Sequence, residues 1–318
     1  MRPIPALGLQ GSGQLVEGAL DPGFFRAVAE LAESAGYDSL WAGDHVSFHN
    51  PIIDITVALA AFAAWTERIT IGAGVVLLPL RHPSLVAKEY SSLDYLSGGR
   101  LVLGIGVGGE GGKDFEAVGV PLSERGVRTD EAMQALRVLF SGPDARFSGR
   151  FFSFEAVTIG PSPVQAGGPP LWVGGRSPAA LRRAGLLGDG WMPIWVSADR
   201  FRDGMAEVRR YAVEAGRDPD GIAAAVVCPA LLGDDSRTRL AAHLERRYGM
   251  AVEPHLVDRY CIAGSPEDCA ARVRAYAEAG AEHVILNIGC AAGEELLDQA
   301  AQLASLLTVE VSGCPVSS

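Results

Sequence analysis

The sequence predicts an α/β fold, a (β/α)8 TIM barrel with insertions after strands 4 and 7, on three observations. The stretch Ile69–Gly112 reads as a complete strand–helix–strand unit. Its two apolar runs suit strands covered on both faces, and a helix between parallel strands makes the usual right-handed crossover. About eight such units, each roughly 25 to 40 residues long, follow one another along the chain, as in a barrel. The third observation is a gap: no early GxGxxG strand–turn–helix fingerprint marks a doubly wound open sheet, the structural alternative. At 318 residues the chain is expected to be a single domain over 1–318.

The elements follow in order. Pro5 to Leu9 is a first short strand before the polar turn QGSGQ. Asp21 and Pro22 cap a helix whose apolar face carries Phe24, Phe25, Val28 and Leu31 and which ends at Gly36. Tyr37–Ala42 is the second strand, with GDHVSFHNP after it, and Ile55–Trp65 the second helix. In the repeating unit, Ile69–Leu78 is β-branched, with Gly72 and Gly74 where a strand bends or bulges. Pro83 and Ser84 open the next helix, Gly98 and Gly99 stop it, and Leu101–Ile105 is the fourth strand. A glycine-rich loop follows, within an insertion over about 109–125, then a helix from about Thr129 to Phe140. Residues 145–165 form a second insertion, in which Ala145–Ile159 alternates around Ser148-Gly149 like a hairpin. Pro170–Val173, Trp191–Trp195, Ile222–Leu232 and Val284–Ile288 are the remaining strands. The matching helices are Pro178–Leu187, Asp199–Ala215, Pro266–Ala279 and Glu294–Leu307. Residues 236–260 are a helical insertion rich in Arg and Glu, and the tail 309–318 is expected to fray.

Composition bounds the function. A hydrophobic fraction of 48% supports a large core, yet no apolar run approaches the ~20 residues of a membrane span. The start MRPIPALGLQ has no long apolar stretch, so no secretory signal is expected. Five cysteines without CxxC spacing read as ordinary thiols of a cytosolic protein, not zinc ligands or disulfides. A net charge of −11 argues against nucleic acid as a partner. We therefore expect a cytoplasmic protein with a small-molecule substrate and no nucleic-acid or membrane partner. A homodimer is also expected.

In a barrel the active site lies on the loops after the strand C-termini. One such loop is Gly174–Pro178, GGRSP. Its glycines let backbone approach a ligand, Ser177 is a natural N-cap, and Arg176 offers a fork of donors at a helix N-terminus. An ordinary cap turn explains the same residues. The Gly264–Pro266 turn is a control: its helix begins SPED, whose acids already complement the dipole, whereas the helix after GGRSP begins SPAALRR. If one of the two holds phosphate, it is Gly174–Ser177. Asp44-His45 after the second strand suits acid–base work, against a plain turn Asp and surface His. A metal pair of His45 with His49 is a third reading, and no metal is expected, because the segment is not helical. GVGGEGGK, Gly106–Lys113, has five glycines but no GK[ST] ending, so it suits backbone lying flat on a planar ligand, or a lid. Glu110 and Asp114 are nearby carboxylates of undetermined orientation, and Arg81-His82-Pro83 is a candidate wall whose His82 is equally explained as structural.

These segments together resemble the luciferase-like monooxygenase superfamily over nearly the whole chain. The residues that carry the likeness are AGYDSLWAGDHV, the run from Ile69 to Gly108, DFEAVGVPLSERGVRTDEA and PPLWVGGRSPAALRRAGLLGDGW, in that order. Within the superfamily they look most like the branch that uses coenzyme F420, a deazaflavin, with FMN as the alternative cofactor. The resemblance implies an isoalloxazine-type ring across the barrel mouth, and a bulge around Ala73, Gly74 and Val75, often with a non-prolyl cis peptide, under one of its faces. It implies that Asp44 and His45 contact ring and substrate, and that Gly174, Gly175, Arg176 and Ser177 hold the phosphate. Gly106 and Gly108 join the cofactor set. One departure stands out: related sequences carry a bulky residue, often Trp, where Gly109 stands here, so a wider pocket is expected. The activity implied is hydride transfer between the deazaflavin and a small organic substrate, with His45 as acid–base and Asp44 orienting it. An FMN-dependent monooxygenase and a non-catalytic cofactor-binding protein are the alternatives.

Overall fold

Eight parallel strands close into a barrel, and their helices wrap its outside. The computed structural model describes residues 5–11, 21–48, 50–109, 112–249, 251–290 and 293–312. The first half runs β1 (Ala6–Gln10), α1 (Pro22–Ser34), β2 (Ser39–Ala42), α2 (Ile55–Trp65), β3 (Thr70–Leu77), α3 (Pro83–Ser97) and β4 (Leu101–Gly106). Next come α4 (Lys113–Val118), α5 (Arg125–Phe140), the hairpin β5 (Ala145–Ser148) and β6 (Ser153–Val157), β7 (Leu171–Val173), α6 (Pro178–Leu187) and β8 (Gly190–Trp191). The chain finishes with α7 (Ala198–Glu214), β9 (Ala223–Leu232), α8 (Ser236–Tyr248), α9 (Pro254–Tyr260), β10 (Ile262–Gly264), α10 (Pro266–Glu278), β11 (His283–Ile288) and α11 (Gly293–Ser312).

Around the barrel the order is β1, β2, β3, β4, β7, β8, β9, β11, with β11 pairing back to β1. The expected insertions after the fourth and seventh strands are present. The second also contains β10, which pairs with the far end of β9 and was not expected. The sixth strand is shorter than Trp191–Trp195, because only Gly190 and Trp191 pair on both sides. The last helix continues to Ser312, into the segment expected to fray.

The barrel interior explains several glycines. Trp41 points inward, against Trp172 and His283. A Cβ on Gly72 would lie 2.2 Å from the Trp41 ring, and one on Gly8 would lie 2.6 Å from the Ser39 hydroxyl. Gly72 is thus room for a tryptophan. The bulge lies just beyond it: Ala73 pairs with Leu103 and Val76 with Ile105, so β3 carries one extra residue there. The Gly74–Val75 peptide bond is cis.

At the base of this interior the Trp41 indole N–H donates to Ser39 Oγ at 2.6 Å, and Ser39 Oγ lies 2.7 Å from His283 Nε2. The serine proton then points to an unprotonated imidazole nitrogen. Burial pushes His283 down to about 4, against about 6.5 in an unfolded chain. The unfolded chain takes up this proton first as pH falls, so the stability is complete above pH ~6.5 and drains away toward pH ~4. Urea unfolding of the protein should show about 2 kcal/mol lost to this group between pH 7 and pH 5. His283→Gln should lessen the slope by that amount and leave the share of His243, also pushed down to about 4; an unchanged slope would show that His283 contributes nothing.

Candidate active site

The C-terminal ends of the barrel strands surround a cavity of about 260 Å³. On one side it is bounded by Gly74, Val75, Gly106, Gly108, Gly174 and Gly175 from β3, β4, β7 and their loops. Val75 leans across the neighbouring strands: a Cβ on Gly106 would sit 2.3 Å from its side chain, and one on Gly174 would sit 3.1 Å away. The bulge residue therefore rests on two bare strands, and the wall it forms is flat. Gly108 and Gly175 have φ of +64° and +94°, where glycine alone is free of strain. Ala73 does not reach the cavity. It faces the core fully buried, which corrects its expected place in the cofactor set.

Beyond β7, Gly175 and Arg176 border the cavity and α6 begins. The Ser177 side chain accepts the Ala180 N–H, so Ser177 serves as the cap and lies outside the cavity lining. No acid stands in the first turn of α6. Gly175 is fixed by the Trp191 indole, which donates to its carbonyl at 2.8 Å. Arg176 is exposed and reaches the Ile194 carbonyl only at 3.4 Å, while Arg183 turns away to Asp130. The control turn is closed: Ser265 and Asp268 form a capping box, and Arg237 already pairs with Asp268.

The carboxylates after β2 differ from the expectation. Asp44 does not orient His45. Its side chain, 1% exposed, accepts the Leu77 N–H at 3.0 Å and takes Arg81 at 2.7 Å. Burial raises the Asp44 carboxyl above its ordinary value, opposed by the Arg81 guanidinium and the Leu77 N–H. Burial also works against the Arg81 charge, but the Asp44 carboxylate outweighs it and raises the guanidinium. The partner of His45 is Asp114, from the first turn of α4: its Oδ2 lies 2.9 Å from His45 Nδ1, and its Oδ1 accepts the N–H groups of Val46 and Ser47. A carboxylate accepts only, so Nδ1 carries the proton and Nε2 is left for exchange. Phe48 stacks on the His45 ring at 4.3 Å. His82 is structural: it caps α3 by accepting the Ser84 N–H. His49 and Glu110 lie outside the described residues. Among the described residues no three His, Cys, Asp or Glu side chains gather as a metal site.

The opposite side of the cavity holds residues that the loop reading missed. Asn287 comes from the end of β11, Arg247 and Tyr248 from α8, and Trp195 from beyond β8. Asn287 had a signal, as the polar residue in the apolar strand HVILNI. Arg247 had a weaker one: in an arginine-rich helix it stands three residues after Leu244 and seven after Leu240, on the apolar stripe.

Comparison with known proteins bears on the family and the fold. Residues 6–249 match the model of the family described as luciferase-like monooxygenase. An uncharacterised protein of Mycobacterium tuberculosis is 34% identical over 221 residues, covering 63% of this chain and 75% of that one. The F420-dependent hydroxymycolic acid dehydrogenase of the same organism is 32% identical over 238 residues, covering 71% and 64%. The solved structure of an F420-dependent secondary alcohol dehydrogenase, in complex with an F420–acetone adduct, superposes with a TM-score of 0.82. It covers 95% of this chain and 99% of that one at 19% identity, which supports the fold alone.

The Asp44–Arg81 pair gives a stability prediction. Arg81→Ala leaves a buried carboxylate without its cation, and urea unfolding should show a loss of about 3–5 kcal/mol. A loss under about 1 kcal/mol, the range of a surface pair, would show that the clamp is not needed.

Proposed function

The chain belongs to the luciferase-like monooxygenase family, and on that premise we propose that it is a coenzyme F420-dependent oxidoreductase acting on a small organic substrate. The family likeness and the named F420-dependent relative support the cofactor. Bound F420 supplies or accepts a hydride at its ring. The chain's own residues do the rest. Gly74, Val75, Gly106, Gly108 and Gly174 would hold the planar ring, with Val75 lying over the bare backbone of Gly106 and Gly174. Gly175, Arg176 and the acid-free start of α6 offer backbone N–H groups and one cation to a phosphate. His45 exchanges a proton with the substrate through Nε2, and Asp114 holds its ring in one tautomer. Asp44 keeps the end of β2 in place and takes no part in proton transfer. The observation that carries this reading is that flat wall, acid-free helix start and carboxylate-paired histidine all meet at one cavity.

Oxygen uptake separates the reading from an FMN-dependent monooxygenase. Protein mixed with reduced F420 should consume no oxygen beyond the cofactor alone. Reduced FMN with the protein in air should behave the same, and protein-dependent oxygen consumption with FMN would establish the alternative.

Among secondary alcohols, ketones and enones screened by F420 absorbance, an active one allows the histidine to be tested. His45→Ala should lower turnover about 10²–10⁴-fold, the range of one positioned proton donor. Its F420 affinity should stay within about threefold, whereas near-normal turnover with a lower melting temperature would make His45 structural. Arg176→Ala should weaken F420 binding by about 1–2 kcal/mol, the lower part of the charge-assisted range because the side chain is exposed. That difference should shrink as salt rises, and unchanged affinity would place the phosphate elsewhere.

A further inference from the structure

Arg247 is a buried charge at the cavity with no carboxylate partner among the described residues; its guanidinium lies 5.6 Å from the Tyr248 ring centroid. It projects from α8, in the insertion after β9, and is 7% exposed. Its only hydrogen bond among the described residues is a long one of 3.3 Å from Nη1 to Asn287 Oδ1, and its Nε is buried without a partner. No described carboxylate pairs with it. The two described carboxyls at this mouth are already engaged, Asp44 with Arg81 and Asp114 with His45. A guanidinium removed from water and left without a counter-ion is costly to the fold, and a charge-assisted fork to a carboxylate offsets that cost. Its neighbour His243 on the same helix feels this charge. Burial first, then the cations Arg247 and Arg246, push it down to about 4, so it stays neutral and adds no second positive charge.

The position matters as much as the charge. Around the barrel β9 lies opposite β3, and β11 opposite β4. Arg247 and Asn287 therefore face the glycine-lined wall across the cavity. The space beside them is bounded by Trp195, Tyr248, Ile194 and Val227, aromatic and apolar groups. Trp195 has a φ of +62° and packs edge-on against Tyr248 and Tyr260, which fixes it as part of this wall.

We propose that the substrate carries a carboxylate on an aromatic or apolar body, and that Arg247 with Asn287 receives that carboxylate. This rests on the cofactor lying against the β3–β4–β7 wall. One guanidinium balances one negative charge. A phosphate dianion would leave a charge over, because the other described cation of the lining, Arg176, belongs to the cofactor end.

The test uses calorimetry on the whole protein, with and without saturating F420, and with benzoate, benzamide and phenyl phosphate as probes. Benzoate should bind at least tenfold more tightly than its neutral isostere benzamide, and more tightly than phenyl phosphate. Arg247→Met should cut benzoate affinity tenfold or more while benzamide and F420 affinities stay within about twofold. If that variant fails to fold, Asn287→Ala takes its place, with an expected three- to tenfold loss for benzoate alone. Equal binding of benzoate and benzamide, tighter phenyl phosphate, or no benzoate binding at 10 mM would overturn the proposal. A loss of F420 affinity in Arg247→Met as large as the loss of benzoate would assign the arginine to the cofactor and also overturn it. Wild-type protein that binds benzoate selectively but not F420 would contradict the cofactor reading and leave the carboxylate site standing.

Discussion

A buried carboxylate in the wall of the barrel mouth holds the working loops in place. Asp44 joins the end of β2 to the end of β3 by accepting the Leu77 N–H and pairing with Arg81. The next residue in the chain is His45, so this clamp sets where the imidazole begins. A second carboxylate, Asp114, reaches the same segment from α4 and takes His45 Nδ1 together with the Val46 and Ser47 N–H groups. The loop after β2 is thus anchored from two elements, and the histidine is left with one ring nitrogen for exchange. Burial makes both arrangements firm, because a carboxylate kept from water must find its partners within the protein.

The barrel below imposes a matching constraint of space. Trp41 fills the interior only because β1 and β3 present glycine to it. Above it β3 bulges, and Val75 lies over the bare backbone of Gly106 and Gly174. One side of the mouth is therefore lined largely by glycine backbone, with Val75 lying over it. The other side, from β8, β9 with its following insertion and β11, carries Trp195, Arg247, Tyr248 and Asn287. A planar group suits the first side and a group with its own charge and shape suits the second. The barrel divides the labour between its two walls.

Much of this was legible in the chain. The strand–helix period, the glycines at Gly72 and Gly74 that mark the bulge, and the difference between SPAALRR and SPED are local features, and local chemistry carries over directly into structure. The partner of His45 was not legible: Asp44 stands beside it, but Asp114, 69 positions away, is brought to it by tertiary packing. Adjacent residues in a loop rarely face one another, and Asp44 was already committed to the Leu77 N–H and Arg81 of the next unit. Arg247 was hidden for a different reason. On a helix with many arginines only its spacing marked it, three residues after Leu244 and seven after Leu240, which puts it on the buried face of α8.

We propose that the flat wall and the start of α6 form a site for F420. Parallel equilibrium titration of the purified protein with F420 and with FMN, followed by cofactor fluorescence, tests it most directly. F420 should saturate the protein and bind at least tenfold more tightly than FMN. FMN binding as tightly as F420, or neither cofactor binding, would contradict it.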